Sequence, residues 1–493
     1  MLSEYFSAVD FLVLKPVILV TLFGIGVMMT DLFLDEQHKY LNAVTALVGL
    51  GFAAAQMWII QSQMAQAGVE EVEAFRGAIL LDRFGIFFIW IFLISSAIAI
   101  LLAMRYLEIE QEHHGEYYAL ILFATVGMIL LAIGMDLITL FVALELMVLS
   151  VYILTGFLRR DRRSNEAALK YLLLGAFSTG ILAYGMSLLY GLSNSTNLKA
   201  IAFALSQRPA GDPLVLIAII TIATGLFFKI GAVPFHQWLP DAYEGAPTSI
   251  TAFMSVGPKA AAFAFLLRMF LVPLGAPAVR EQWVPLVVGV AIATMTLGNL
   301  AAISQSNVKR LLAYSAISHV GYILLGLVAG NDTGLKGIAI YLLVYAFMNM
   351  GAFAVVVAMR RRDLIGDEID DMAGLMYKSP TAAVLMLIFL LSLAGIPPTA
   401  GFLGKYFIFL SLIETKHYVL AVVAVLYVAV ALYYYFRIVA VMFMREPVDR
   451  ELPSLSPGIR IALGVTAAMT LFVGLYPEPF IQIAGRTVLT MMR

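Results

Sequence analysis

Four charged side chains lie inside stretches of this sequence that are otherwise apolar enough to cross a membrane. Glu145 lies in LITLFVALELMVLSVYIL, Lys229 in LIAIITIATGLFFKIGAV, Lys259 in MSVGPKAAAFAFLL and Lys405 in GFLGKYFIFL. A charge near the centre of a bilayer costs about 3 kcal/mol on insertion scales, so such residues are by default parts of a route for ions or protons. The sequence therefore predicts a pathway built from one acid and several amines.

Glu145 has a candidate partner in Lys170, which lies near the start of the next apolar stretch, in NEAALKYLLLGAFSTG. An opposite charge within about 4–6 Å keeps a buried acid and base ionised, so a proton gained or lost by the pair changes the field on the next group. We therefore predict a functional Glu145–Lys170 pair. The alternative is that Lys170 extends to the membrane interface and Glu145 pairs locally for packing.

Lys229, Lys259 and Lys405 form a second set. Burial among apolar helices disfavours a charged amine, whereas a nearby carboxylate favours it, so each lysine is a suitable proton switch. The alternative is that Lys229 and Lys405 are structural and donate to backbone carbonyls. His319, in LLAYSAISHVGYILLG, could relay protons near neutral pH, although a lone helical histidine is often only a core residue with satisfied hydrogen bonds.

Composition assigns the chain to a class. Its 493 residues are 62% hydrophobic and 13% charged, whereas soluble domains have about 25% charged residues. The absence of cysteine excludes thiolate-held iron–sulfur clusters, cysteine zinc sites and disulfides within this chain. No nucleotide-binding glycine motif and no basic stripe for nucleic acid occur. Redox or ATP chemistry, if it drives this protein, must come from partner subunits.

Windows of about 20 apolar residues predict an all-α polytopic membrane protein with about fourteen transmembrane helices. The predicted spans are 12–33, 41–62, 80–104, 117–134, 136–158, 165–191, 213–241, 247–272, 283–303, 310–329, 336–359, 380–412, 418–444 and 458–482.

Two of these spans are long and contain helix breakers: 213–241 contains Pro234, and 380–412 contains Pro397 and Pro398. Proline frees the carbonyl four residues earlier, and such unpaired backbone is tolerated at membrane depth only against protein or a water-filled cavity. Broken helices in corresponding halves indicate an inverted repeat, and an offset of five spans fits one. We predict N-terminal helices in 1–115, a first five-helix repeat in 116–272, a second in 283–444, and a C-terminal loop and last span in 445–493.

Positive residues concentrate in alternate loops, which predicts that these loops are cytoplasmic and that both termini lie on the other side. Trp58 and Trp283 are expected near that outer interface, and Arg268 and Asp82 are expected to snorkel or cap helix ends. The loop residues are Arg159, Arg160, Arg162, Arg163, Lys309, Arg310, Arg360, Arg361, Arg362, Lys378, Arg445 and Arg450.

Four motifs together resemble the antiporter-like membrane subunits of the proton-pumping NADH–quinone oxidoreductase, respiratory complex I. They are FKIGAVPFHQWLPDAYEGAP, SVGPKAAAFAFLLRMF, NVKRLLAYSAISHVGY and LAGIPPTAGFLGKYF, within a resemblance covering about residues 80 to 445. Within this family the subunit N branch is most similar, because of Tyr243 in PDAYEGAP and Lys405 in the second broken helix.

The resemblance implies a fourteen-helix fold with two inverted five-helix repeats in the bacterial inner membrane. Glu145 and Lys170 would be the coupling pair, Lys229 and Lys259 the central lysines, His319 the histidine between them and Lys405, and Lys405 the terminal lysine. No cofactor is expected in this chain; FMN, iron–sulfur clusters and quinone would belong to other subunits, and the other membrane-arm subunits would be its partners. A membrane subunit of a multi-subunit cation/proton antiporter or of an energy-conserving hydrogenase is the alternative, and a non-catalytic scaffold a third.

Overall fold

The computed structural model describes residues 7–209, 211–361, 366–447 and 455–489, so Arg362 and Arg450 lie outside the described residues. Within these ranges, 13 helices are long and apolar enough to cross a membrane. Two shorter apolar half-helices together make one further span. The chain is a multi-pass membrane protein, and the predicted number of about fourteen spans is confirmed.

The N-terminal part contains three spans and a hairpin that the sequence analysis did not predict. The elements are α1 (Ala8–Asp31), α2 (Tyr40–Ala67), β1 (Glu71–Ala74), β2 (Ile79–Asp82) and α3 (Arg83–Glu110). The two strands pair antiparallel, with Glu71 opposite Asp82. They escaped prediction because four-residue strands between two spans give no periodic signal.

Five consecutive spans follow, and the fourth of them is broken. Its two halves, α8 and α9, are separated by residues 231–237. A short amphipathic helix, α7, precedes them. The elements are α4 (Gly115–Ile133), α5 (Leu137–Thr155), α6 (Arg162–Ser193), α7 (Leu198–Ser206), α8 (Pro213–Ile230), α9 (Trp238–Gly245) and α10 (Thr248–Leu271).

The next five spans repeat this plan, and again the fourth is broken, between α15 and α16. The elements are α11 (Pro277–Ile303), α12 (Val308–Ala329), α13 (Asp332–Met359), the short α14 (Leu375–Lys378), α15 (Pro380–Ala394), α16 (Ala400–Glu414) and α17 (Tyr418–Met444). Spans five apart cross the membrane in opposite directions, so the two broken helices run oppositely, as an inverted repeat requires.

The C-terminus differs from the prediction. The last span, α18 (Pro457–Leu475), ends seven residues before the predicted 482, and a separate amphipathic helix, α19 (Glu478–Leu489), follows. The division falls where Pro477, which lacks an amide hydrogen, begins a new first turn.

Both predicted breaks are confirmed, and each begins at a glycine in the left-handed region. Gly231 (φ 77°) ends α8 and Gly395 (φ 85°) ends α15, a conformation that disfavours residues with a Cβ atom. In the first break, the Val233 amide donates to Thr294 Oγ1 of α11 at 3.0 Å. A helix of the second repeat therefore satisfies the backbone of the break in the first.

The core of the molecule lies where the two repeats meet. All of the most apolar stretch of α10 is buried, and 94% of the corresponding stretches of α12 and α13 is buried, whereas only 33% is buried in α1 and α17. A helix that is buried on every side must satisfy any charge it carries against other helices. These three helices contain Lys259, His319 and several tyrosines.

The positively charged loops gather at one end of the bundle, which we call the basic face and define by Arg159, Arg310, Arg360 and Arg445. Across it, Arg360 Nε lies 2.6 Å from a carboxylate oxygen at the end of α3, and Arg445 lies 2.5 Å from Asp370. The predicted placement of these loops on a common face is therefore confirmed.

One prediction about helix ends is wrong, and another is right about the position of Trp283 but not about its exposure. Trp283 is fully buried and donates to the Leu274 carbonyl at 3.0 Å, whereas Trp58 is 65% exposed, as an interfacial residue would be. Arg268 does not snorkel: its guanidinium binds both carboxylate oxygens of the buried Asp82, at 2.7 and 2.9 Å. Asp82 also caps α3 through the Gly85 amide at 2.8 Å, as expected.

Candidate functional site: a buried series of amines and hydroxyls

Lys229 lies in the last turn of α8, directly before the break, and its side chain is buried. Its Nζ donates to Thr179 Oγ1 of α6 at 2.9 Å and lies 6.0 Å from the centroid of the Tyr152 ring. The structural alternative, donation to a carbonyl freed at the break, is not what the structure shows, because the amine donates to a side-chain hydroxyl of another helix. The nearby Phe228 carbonyl accepts from Trp238 Nε1 at 3.0 Å. One hydrogen bond uses only one of the three donors of an ammonium group.

Glu145 lies near Lys229. The structure does not bring it into contact with Lys170, whose amine pairs with Glu166 and Asp241 instead. Glu145 precedes Tyr152 by two turns of α5, or about 10 Å at 1.5 Å per residue. Tyr152 packs against Tyr171, the neighbour of Lys170, with 4.5 Å between ring centroids. Glu145 therefore lies about two turns deeper than Lys170, and its Oε1 atom has no hydrogen-bond partner among the described residues.

Lys170 belongs instead to a charged cluster at the basic face. Its Nζ lies 2.8 Å from Glu166 and 2.9 Å from Asp241, whose second oxygen is 2.7 Å from Arg310. Arg310 also reaches Glu244 at 2.8 Å. A polar cavity of about 210 Å³ opens among these side chains. Lys170 is 46% exposed and already pairs with two carboxylates. Turning its amine towards Glu145 would break these ion pairs and remove the amine from water.

Lys309, at the start of α12 in the second repeat, binds the C-terminal end of α9. It was predicted as a loop residue, but its side chain is buried and donates to the carbonyls of Glu244 and Ala246 at 2.6 and 2.7 Å. These carbonyls end α9, where a positive charge is favourable.

A stack of aromatic rings leads from the charged cluster towards Lys229. Tyr171 lies flat on Trp238, with 4.2 Å between centroids, and meets Tyr152 edge-on. Gly175 leaves space for the Tyr152 hydroxyl, because a Cβ atom there would overlap the hydroxyl oxygen and come within 2.7 Å of Cζ.

Lys259 occupies the centre of α10, directly after Pro258. Its Nζ makes a long contact of 3.5 Å to the Ala316 carbonyl of α12. It lies 5.8 Å and 5.9 Å from the ring centroids of Tyr243 and Tyr345. This amine is thus enclosed by carbonyl oxygen and aromatic faces rather than by a carboxylate, which is an unusual environment for a buried charge.

His319 lies on α12, near both Lys259 and Lys405. Its Nδ1 is 2.6 Å from the Tyr341 hydroxyl and its Nε2 is 3.1 Å from the Tyr435 hydroxyl. A neutral imidazole has one donor and one acceptor nitrogen, whereas a phenol can do either. The two tyrosines can therefore satisfy His319 in either tautomer, an arrangement suited to passing a proton across the ring.

Lys405 donates to the carbonyls of Leu393 and Ala394 at 3.0 and 2.8 Å, and its Nζ lies 5.2 Å from the ring centroid of Tyr322. These carbonyls are the two that Pro397 and Pro398 free. The contacts of Lys405 are therefore those of the alternative given above, a structural lysine that donates to backbone carbonyls. The same lysine lines a cavity of about 260 Å³ between α16 and α17.

The residues that link these groups carry no distinguishing pattern in the sequence. Thr179, Tyr152, Tyr345, Tyr341 and Tyr435 contact the lysines or His319, yet the sequence has 22 tyrosines and nothing marks these four. Among the described residues, the hydroxyls of Tyr152, Tyr243 and Tyr345 are buried without a hydrogen-bond partner. In the part of the chain that the structure describes, no three or more His, Asp or Glu side chains lie close enough together to hold a metal ion.

Comparisons with known proteins show the family of this chain. The family described as NADH:quinone oxidoreductase/Mrp antiporter, TM, matches residues 134–431. NADH-quinone oxidoreductase subunit N 1 of Koribacter versatilis is 58% identical, over 98% of this chain and 96% of its own length. This chain belongs to the NADH-quinone oxidoreductase subunit N family. Subunit N of Trichlorobacter lovleyi, 42% identical over 99% of this chain, is a more distant member.

The fold of this subunit N family member is similar to those of chains in solved structures of complex I and of the Mrp complex. A chain of respiratory complex I from Thermus thermophilus with bound aureothin has a TM-score of 0.80 at 31% identity, covering 95% of this chain and 98% of its own. A chain of the Mrp complex from Dietzia sp. has a TM-score of 0.84 at 21% identity, which shows the fold alone. The predicted resemblance to complex I antiporter-like subunits is confirmed.

Proposed function

We propose that this chain translocates protons across the membrane through the buried series from Lys229 to Lys405, driven by redox chemistry in partner subunits. The observation that supports this most is the line of ionisable side chains at the contact of the two repeats, with Lys259 and His319 on the most buried helices. A scaffold gains little from such groups, because intramembrane hydrogen bonds average only about 0.6 kcal/mol in one measured membrane protein.

Proton uptake would begin at the basic face. The charged cluster around Lys170 and Asp241 is open to solvent through its cavity, and the stack of Trp238, Tyr171 and Tyr152 leads inward to Lys229. In this scheme Lys170 serves the uptake end and is not the partner of the deep carboxylate.

Glu145 and Lys229 would form the switch. A carboxylate that lies deep in the membrane favours the charged form of a nearby amine, and a proton bound by that carboxylate removes the effect. Thr179 holds the Lys229 amine on the α6 side. Protonation of Glu145 would therefore weaken the hold on the Lys229 proton and send it onward.

Water would bridge the gaps between the titrating groups. A buried hydroxyl without a partner is costly, and ordered water is the common solution. Tyr152, Tyr243 and Tyr345 have such hydroxyls, beside Lys229 or Lys259. Beyond Lys259 the route would pass His319, with its two tyrosine partners, and reach Lys405 next to an open cavity.

Family membership also supports proposals about the surroundings of the chain. The other antiporter-like subunits and small subunits of a membrane arm would be its neighbours, and FMN, iron–sulfur clusters and quinone would be held by other subunits. The chain would lie in the bacterial inner membrane, with the basic face in the cytoplasm and both termini in the periplasm.

The test uses the purified complex reconstituted into vesicles, with proton uptake measured per NADH oxidised. Glu145→Gln and Lys229→Met should each abolish pumping and slow electron transfer. Lys199→Met is the matched control, because Lys199 is an exposed lysine of α7 outside the spans. Full pumping by both variants would remove these residues from the route.

A second arm of the same experiment addresses cation transport. Pumping should persist unchanged when sodium is replaced by choline, because the route contains amines and hydroxyls but only one deep carboxylate. Pumping that requires sodium would favour the cation/proton antiporter alternative.

A further inference from the structure

The structure contains a long apolar groove, away from the proposed proton route, that lies between helices of the N-terminal and C-terminal parts of the chain. Its volume is about 430 Å³, within the range of pockets that hold small ligands. The walls come from α2, α3, α13, α18 and α19, and its apolar lining includes Trp58, Trp90, Phe347, Met469 and Phe480.

The groove has the depth of one membrane leaflet. On α3 its lining extends from Arg83 to Ile94, which are eleven residues apart. At 1.5 Å per residue this is about 16 Å, close to half of the roughly 30 Å hydrocarbon core of a bilayer. Arg83 begins α3 at the end opposite the basic face, so the groove runs from that interface towards the membrane centre.

The mouth of the groove is polar and carries an excess positive charge. Arg83 lies 3.3 Å from Glu70, so these two charges offset each other. Arg486 of α19 also lines the mouth and takes part in none of the ion pairs of the described residues. Asp332 and Lys336, one acid and one base, line a neighbouring cavity with it. Trp90 Nε1 donates to Gln61 at 3.3 Å, about 10 Å further along α3 than Arg83.

We propose that this groove binds one phospholipid, with an acyl chain along α3 and the phosphate at Arg486. The occupant must be apolar over one leaflet and negatively charged at the interface, and a phospholipid of the leaflet opposite the basic face has both properties. Binding would seal α19 against α3 and α13. A segment of a neighbouring subunit is the competing occupant.

The test places p-benzoylphenylalanine at Met469 in the intact complex and crosslinks it in native membranes before extraction. The mass of this chain should then increase by that of a phospholipid. Arg486→Gln should lower the yield about fivefold, the effect of one interfacial arginine on an anionic headgroup. Lys416→Gln, which removes an exposed lysine away from the groove, should leave the yield unchanged.

A second crosslinking position separates a bound lipid from bulk lipid contact. Val422 on α17 is 60% exposed, and its lipid adducts should not depend on Arg486. The proposal is overturned if the Met469 adduct is a protein, if its phospholipid yield is the same in Arg486→Gln, or if Val422 yields adducts and Met469 yields none. NADH oxidation by Arg486→Gln, which should equal that of the unaltered complex, controls for assembly.

Discussion

The contact between Gly175 and Tyr152 allows a sharp test of the path into Lys229. Alanine at 175 would place a Cβ atom on the Tyr152 hydroxyl and 2.7 Å from Cζ. Carbon atoms normally approach to about 3.5–4.0 Å, so the ring would have to move by about 1 Å or more. Tyr171 blocks one side of the ring, with 4.5 Å between centroids, so the movement must disturb the aromatic stack.

The expected magnitude follows from two opposing terms. Alanine in a helix interior is better than glycine by about 1 kcal/mol, whereas overpacking a filled core costs about 1–3 kcal/mol. The net cost is about 0–2 kcal/mol, so Gly175→Ala should leave the complex assembled. About 1 kcal/mol against the conducting arrangement should lower its proton pumping about fivefold. The assay is proton uptake per NADH oxidised in vesicles.

A control variant and a double-mutant cycle test whether the loss of pumping in Gly175→Ala has a steric cause. Gly180 lies on the same helix with no atom within 4 Å of an added Cβ, so Gly180→Ala should pump normally. Adding Tyr152→Phe to Gly175→Ala removes the overlapping oxygen and should restore part of the pumping. The steric argument fails if Gly175→Ala pumps like Gly180→Ala, or if the two substitutions at 175 and 152 are simply additive.

Three further predictions concern other parts of the site. Gly395→Ala should lower pumping, because alanine at φ 85° costs about 1–2 kcal/mol and its Cβ would lie 2.8 Å from Cδ of Lys405, moving that amine off its two carbonyls. Arg268→Met should lower the melting temperature of the complex, because it leaves Asp82 buried without its partner, at a cost of about 3–5 kcal/mol. Tyr345→Phe should lower pumping without lowering thermal stability, because its unpaired hydroxyl contributes no protein hydrogen bond.

Each of these predictions has a contradicting result. Gly464→Ala, at an open helix position, is the control for residue 395, and equal pumping by both would show that Lys405 tolerates displacement. For the buried ion pair, Asp82→Asn added to Arg268→Met should recover part of the stability, and no recovery would contradict the unpaired-charge argument. For Tyr345, normal pumping by the phenylalanine variant would exclude its hydroxyl from the water route.

The architecture was predictable where a simple physical rule applies over many residues. Twenty apolar residues are needed to cross a membrane, so the spans are visible in composition, and Pro234, Pro397 and Pro398 cannot continue a helix. The freed carbonyls of Leu393 and Ala394 followed from proline geometry alone, and the structure adds that Lys405 binds both.

The partners of the charged groups were not predictable, because they depend on helix rotation and depth. Lys170 follows Glu145 by one span, and the sequence does not state that they differ by about two turns in depth. Thr179, which holds Lys229, lies on the same helix as Lys170 but nine residues further on. Tyrosine in a span is usual at either interface, so the buried hydroxyls near Lys259 became visible only once α10 and α13 were packed.

The fastening of the first break by the second repeat has a mechanical consequence. Thr294 holds an amide of residues 231–237, and Lys309 holds both carbonyls that end α9, so these links cross from one pseudo-symmetric half to the other. A shift of the short helix must therefore pull on α11 and α12. We therefore expect the two halves to move together. A fragment ending at residue 272 would lack Thr294 and Lys309, the two residues that hold the broken helix of its own half.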